Sequence, residues 1–200
     1  MRKIAVFASG SGSNFQALID VVQSGQLDAE ISLLVCDQPG AYAIERARAA
    51  KIPSFVFTAK DYPSKEHYEE EILTQLQTHG VEFIVLAGYM RLIGSKLLAE
   101  FKGRIVNIHP SLLPAFPGKD AVGQALAAKV KWSGVTIHFV DEGMDTGPII
   151  IQERVRLDES ETRESLQQKI QQREHKLYPS VLQMLLTQGD VVNDTKARTH

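Results

Sequence analysis

Asn107 and His109 stand two positions apart at the end of an apolar run, Arg104-Ile105-Val106, and Pro110 follows directly. The run reads as a short buried strand whose pairing the proline ends. Alternation sends Asn107 and His109 to the same face, about 7 Å apart at Cα. An amide and an imidazole thereby converge at a strand's carboxyl end, where open α/β sheets keep their ligands. The same pair is compatible with a satisfied core histidine and an asparagine that opens a turn. A second candidate is the acidic loop Asp141-Glu142-Gly143-Met144-Asp145-Thr146-Gly147-Pro148. Its acids can simply be solvated, and the ligand pattern of a calcium loop is absent. A carboxylate brought beside His109 would favour the protonated ring and could accept a proton through water.

Two further features could bind rather than react. Ser9-Gly10-Ser11-Gly12-Ser13-Asn14 lies between an apolar run and an amphipathic stretch, where backbone N–H groups and a helix dipole make an anion site. Phe15 occupies the place of the third glycine of a dinucleotide fingerprint and there is no P-loop lysine, which favours a monophosphate. A plain tight turn remains open, and Asp37 at the end of the second strand keeps a ribose-binding dehydrogenase in view. Glu174 lies on the apolar stripe of the last helix, either snorkelling at its edge or reaching a ligand. His138, between Ile137 and Phe139, reads as a core or sheet-face histidine. No histidine pair has zinc-ligand spacing, and no metal site is expected.

The elements that must position these residues alternate along the chain. Strands are expected at Ile4 to Ala8, Ile31 to Cys36, Ser54 to Phe57, Phe83 to Ala87, Arg104 to His109, Val135 to Val140 and Ile149 to Val155. Helices are expected between them, with a long one from Glu161 to about Thr187 carrying Leu166, Ile170, Leu177, Val181, Met184 and Leu185 on its apolar side. The pattern predicts an α/β fold, Rossmann-like, with a mostly parallel sheet, helices on both faces and an antiparallel edge formed by the last two strands. Residues 88 to 93 form a loop too apolar to be left in water. The 200 residues suit one domain over residues 1 to 190 with a polar tail from 191 to 200. A net charge of −2 gives no sign of a nucleic-acid or membrane surface. The single cysteine, Cys36, excludes an internal disulfide and a four-thiolate metal site, and a cytoplasmic location is expected.

Taken together, the glycine-serine loop, Leu86-Ala87-Gly88-Tyr89-Met90-Arg91, Asn107-Ile108-His109-Pro110-Ser111-Leu112-Leu113-Pro114 and the acidic loop closely resemble the folate-dependent formyltransferase family, over nearly the whole chain. The loop ending in Asn14 narrows the likeness to the branch acting on glycinamide ribonucleotide. The resemblance implies transfer of a formyl group from 10-formyltetrahydrofolate to that substrate's primary amine, with Asn107, His109 and Asp145 catalytic. It implies Gly12, Ser13, Asn14 and Glu174 at the ribonucleotide. At the folate it implies Lys65, Met90, Arg91, Leu92, Ile93 and Asn107, together with Asp141, Glu142, Gly143, Met144 and Asp145. Relatives often carry arginine at the place of Lys65, and some carry a His-x-His near Asp120 to Val122 that this chain lacks. Support for Asp145 must then come from elsewhere. The partners implied are small molecules, with the chain a monomer or homodimer. A formyltetrahydrofolate hydrolase of the same family and a nucleotide-binding module without turnover are the competing readings.

Overall fold

The computed structural model describes residues 1 to 187; the expected polar tail lies outside the described residues. Among these described residues seven strands form one sheet: β1 (Arg2–Ala8), β2 (Ala29–Cys36), β3 (Ser54–Val56), β4 (Phe83–Leu86), β5 (Ile105–His109), β6 (Trp132–Phe139) and β7 (Ile149–Arg156). Six α-helices accompany them: α1 (Ser13–Gln23), α2 (Tyr42–Ala49), α3 (Lys65–Thr78), α4 (Ser95–Glu100), α5 (Ala121–Ala127) and α6 (Arg163–Thr187). The strand order is β3-β2-β1-β4-β5-β6-β7. Pairings are parallel from β3 through β5, and then antiparallel from β5 to β6 and from β6 to β7.

The expected antiparallel edge is therefore present, and its antiparallel pairing reaches one strand further in, to β5. The chain leaves β5 at His109 and re-enters the sheet at the same end. Thr136, opposite His109 in the register, accepts from Leu113 N at 3.1 Å and donates to Ser111 O at 2.7 Å. Gln152 of β7 adds hydrogen bonds to Leu113 O and Thr136 Oγ1, so the segment after β5 is held to β6 and β7.

Two apolar clusters sandwich the sheet. One is built with residues of α1, α2, α5 and α6, the other with residues of α3 and α4. Along β5, Val106 and Ile108 enter the first cluster and Ile105 the second, which leaves Asn107 and His109 on the side of Ile105. Phe15 of α1 is wholly buried in the first cluster; burial of such a ring contributes about 2–3 kcal/mol. On α6 the buried stripe runs Leu166, Ile170, Glu174, Tyr178, Leu182 and Leu186, a four-residue period. Met184, expected on the apolar side, instead lies exposed, and Tyr178 takes a place in the stripe that the sequence pattern does not assign to it. The tyrosine can be buried because its hydroxyl has partners, donating to Leu86 O at 2.8 Å and Val106 O at 3.2 Å.

Candidate active site

A cavity of about 540 Å³ opens at the carboxyl ends of β1, β4 and β5. It sits at the point where the sheet's strand order reverses about β1, the expected place for a ligand in such a fold.

The acidic loop between β6 and β7 reaches this cavity. Asp141 organises it by accepting from Gly143 N at 3.0 Å and Thr146 Oγ1 at 2.7 Å, and Phe139 N donating to Pro148 O at 2.9 Å closes its neck. Asp145 projects from the loop at φ 56°, a left-handed conformation that Asp tolerates better than most residues. Its carboxylate meets both candidates on β5. Oδ2 lies 3.4 Å from His109 Nδ1, and Oδ1 accepts from Asn107 Nδ2 at 3.4 Å. Gly118 N also donates to Oδ2, at 2.7 Å. Burial alone would push the Asp145 carboxyl up. The nearby His138 imidazole, the Gly118 N–H and the His109 imidazole outweigh it and hold the group below its usual value.

His109 Nε2 donates to Phe116 O at 2.8 Å. Both ring nitrogens thus face oxygen acceptors, and the doubly protonated ring satisfies both. Phe116 turns its carbonyl into this position from φ 53°, a strained conformation for a bulky residue. The proline-rich segment after β5 therefore serves the site directly, supplying Phe116 O to the imidazole and Gly118 N to the carboxylate.

His138 is the residue that sequence reasoning misses. It is buried, as expected of a sheet-face histidine. It also stands opposite Asn107 across the antiparallel pair, with Nε2 3.3 Å from Asn107 Nδ2 and 3.6 Å from Asp145 Oδ1. Cross-strand neighbours share a face, so knowledge that β6 pairs with β5 would have placed it there. His138 and Gly118 N are where Asp145 finds support in a chain without the His-x-His.

The glycine-serine loop forms another wall. Gly12 holds φ 71°, and a Cβ there would lie 2.9 Å from Ala43 Cβ. Arg46 Nε donates to Ser11 O at 2.8 Å, which steadies the loop beside the start of α1. Gly12, Ser13, Asn14 and Glu174 all line the cavity. Asn14 Nδ2 donates to Glu174 Oε2 at 3.1 Å, and Asn14 Oδ1 is buried without a hydrogen-bond partner. Burial pushes the Glu174 carboxyl up to about 7, with the Asn14 hydrogen bond opposing. Arg163, Gln167 and Gln171 share the wall with Glu174. They precede it by eleven, seven and three residues, a helical spacing from which the sequence could have yielded them.

The third wall is residues 88 to 93. Met90 and Leu92 are exposed and, with exposed Met144, line the cavity; Ile93 is buried beside them. The apolar loop is thus part of a concave slot fit for a flat, largely apolar guest. Gly143 and Arg91 also lie on the wall. Lys65, Asp141 and Glu142 do not line the cavity: Lys65 begins α3, and Asp141 is spent on its own loop. Asp37 is not free for a ribose, since Ser9 and Arg91 occupy its two oxygens. Among the described residues no cluster of His, Cys, Asp and Glu could hold a metal ion. No helix among them is long and apolar enough to cross a membrane.

A family model described as formyl transferase matches residues 2–182. The chain is 58% identical over 186 residues to the phosphoribosylglycinamide formyltransferase of Bacillus subtilis, covering 93% of this chain and 95% of that protein. The crystal structure of glycinamide ribonucleotide transformylase 1 from Geobacillus kaustophilus superposes with a TM-score of 0.91 at 59% identity, over 93% of this chain and 99% of that one. That of phosphoribosylglycinamide formyltransferase from Bacillus halodurans does so with a TM-score of 0.91 at 55% identity, over 93% and 96%.

Proposed function

The chain belongs to the formyl transferase family, and from that premise we propose how its cleft performs the family's chemistry. It is a formyltransferase of purine biosynthesis that delivers the formyl group to phosphoribosylglycinamide from a folate-derived donor. In our reading that donor is 10-formyltetrahydrofolate. Its pterin lies in the slot made by Met90, Leu92, Ile93 and Met144, and the phosphate of the acceptor sits on Gly12, Ser13 and Asn14, with Glu174 facing the ribose. Small-molecule substrates, a cytoplasmic location and a monomer or homodimer complete the reading.

The acceptor's neutral amine attacks the formyl carbon directly, so no protein nucleophile is required; an α-amino pKa of about 8 leaves a useful neutral fraction near neutrality. The new C–N bond converts the formyl oxygen into an oxyanion. Asn107 donates an amide N–H to that oxygen, and His109 adds the charge of an imidazolium paired with Asp145. The 3.4 Å separation between His109 Nδ1 and Asp145 leaves that N–H weakly held and available to the ligand oxygen. Asp145, through a water, takes the proton from the attacking amine and passes it to the departing folate nitrogen as the old C–N bond breaks.

The observation that carries this reading is the meeting of Asn107, His109 and Asp145 on the wall of a cavity that also holds an anion loop and an apolar slot. His109→Ala should lower kcat by about 10²-fold while both KM values stay within a few-fold. The assay follows folate product with and without the ribonucleotide. An unchanged kcat in the variant, or product formed as fast without the amine, would overturn the mechanism.

A further inference from the structure

Asp37 follows β2 directly, is 2% exposed and has no part in the mechanism above. Its oxygens are divided between two walls of the cleft. Oδ1 accepts from Ser9 Oγ at 2.5 Å, and Oδ2 from Arg91 Nε at 2.7 Å. Ser9 extends the link: its hydroxyl oxygen accepts from Met90 N at 2.9 Å, and its own N–H donates to Gly88 O at 3.0 Å. The Arg91 side chain is 33% exposed, lines the cavity and lies with its guanidinium 5.8 Å from the Tyr68 ring. A guanidinium is a rigid planar fork, so a hold on Nε fixes the directions of its remaining N–H groups. A buried carboxylate stripped of its cation is costly, and Asp37 therefore selects the Arg91 rotamer that keeps the pair.

We propose that Asp37 is a positioning residue for the formyl donor: it grips Arg91 directly and Met90 through Ser9, and so sets the wall of residues 88 to 93 against which the donor packs. This role rests on the proposed placement of the folate at that wall. Residues 88 to 93 are anchored at the far end as well, where buried Glu69 accepts from Gly94 N at 2.6 Å. Asp37 is the anchor on the cleft side, and it ties the donor wall to Ser9, the first residue of the phosphate loop.

Asp37→Asn keeps the shape and an acceptor for Ser9 but turns an amide N–H toward the Nε–H of Arg91. The donor KM should rise about tenfold, with kcat and the ribonucleotide KM within about twofold of wild type. In an Arg91→Leu background the same change should add less than about twofold, because its effect passes through Arg91. Equal rises in both KM values, a fall in kcat alone, or independent multiplication of the two substitutions would overturn the role. Should Asp37→Asn fail to fold, Arg91→Lys tests the same point: an ammonium cannot hold Asp37 and present a second face to the cleft, so donor KM should again rise about tenfold. An unchanged donor KM in that variant overturns the proposal. Wild type without saturable dependence on the folate would remove the donor reading and this role together. Saturable wild type beside an unaffected Asp37→Asn removes only this role.

Discussion

Replacing Glu174 with Gln should stabilise the protein in mild alkali and change it little in acid. Glu174 is 6% exposed, and burial pushes its pKa from 4.5 up to about 7 against one opposing hydrogen bond from Asn14. Between those values the native state keeps a proton that the unfolded chain has released. Stability therefore falls as pH rises through the window and levels off above it. The gap from 4.5 to about 7 amounts to about 3 kcal/mol in full. Only about 1 kcal/mol of it has been lost by about pH 5, and nearly all by about pH 8. Gln has no proton to surrender, and its carbonyl can still accept from Asn14. Urea unfolding of both proteins at the two pH values should show the variant's advantage widening by about 2 kcal/mol, or about 4–8 °C in Tm for a chain of this size. Subtracting wild type from variant removes the other titrating groups. A difference that stays constant between the two pH values would refute the burial of a neutral carboxyl at this position.

Asp145→Asn should lower kcat by about 10²-fold or more with small changes in either KM, measured under saturating substrates, because the charge beside His109 and the proton acceptor disappear together. Tyr178→Phe leaves Leu86 O and Val106 O without the hydroxyl and should cost about 1–2 kcal/mol in denaturant unfolding, with kcat nearly unchanged. Gly12→Ala forces a side chain into φ +71° against Ala43; the ribonucleotide KM should rise by at least about fivefold, the equivalent of about 1 kcal/mol, and the donor KM should hold. The ribonucleotide KM of wild type should climb as pH passes about 7, where Glu174 ionises beside the phosphate loop, and Glu174→Gln should lack that climb in a pH series of initial rates.

Much of the fold is legible in the sequence because its signals are local. The apolar runs of β1, β2 and β4, and glycines such as Gly25 and Gly80 past helix ends, mark elements without reference to their neighbours. The alternation that pairs Asn107 with His109 is local too, and it survives intact. What the sequence withholds is what depends on pairing. That β6 runs antiparallel to β5 goes with hydrogen bonds between residues 111 to 113 and Thr136, and no nearby residue announces it. His138 escapes a reading of the sequence for that reason alone. Phe116 O and Gly118 N are backbone atoms whose direction is set by loop geometry, so no side-chain pattern could have pointed to them. Lys65 shows the reverse case: the family resemblance assigns it to the folate, and the cavity wall runs without it.

Two of the carboxylic acids that line the cavity, Asp145 and Glu174, are driven in opposite directions, and the difference lies in what faces them. Asp145 meets a backbone N–H, an amide and two imidazoles, enough donors to overcome burial and keep it anionic. Glu174 meets one amide and a helix stripe of aliphatic and aromatic side chains, so burial prevails and it stays protonated up to about 7. In the proposed mechanism the permanent anion at the reacting end gives a His109 imidazolium its counter-charge and the amine's proton somewhere to go. Under the proposed placement of the phosphate, the neutral acid beside the glycine-serine loop spares it a second negative charge while still offering hydroxyls both a donor and an acceptor. Exchanging the two environments would leave His109 unpaired and put repulsion at the anion site. The stability that Glu174 gives up above its pKa is the counterpart of that proposed placement.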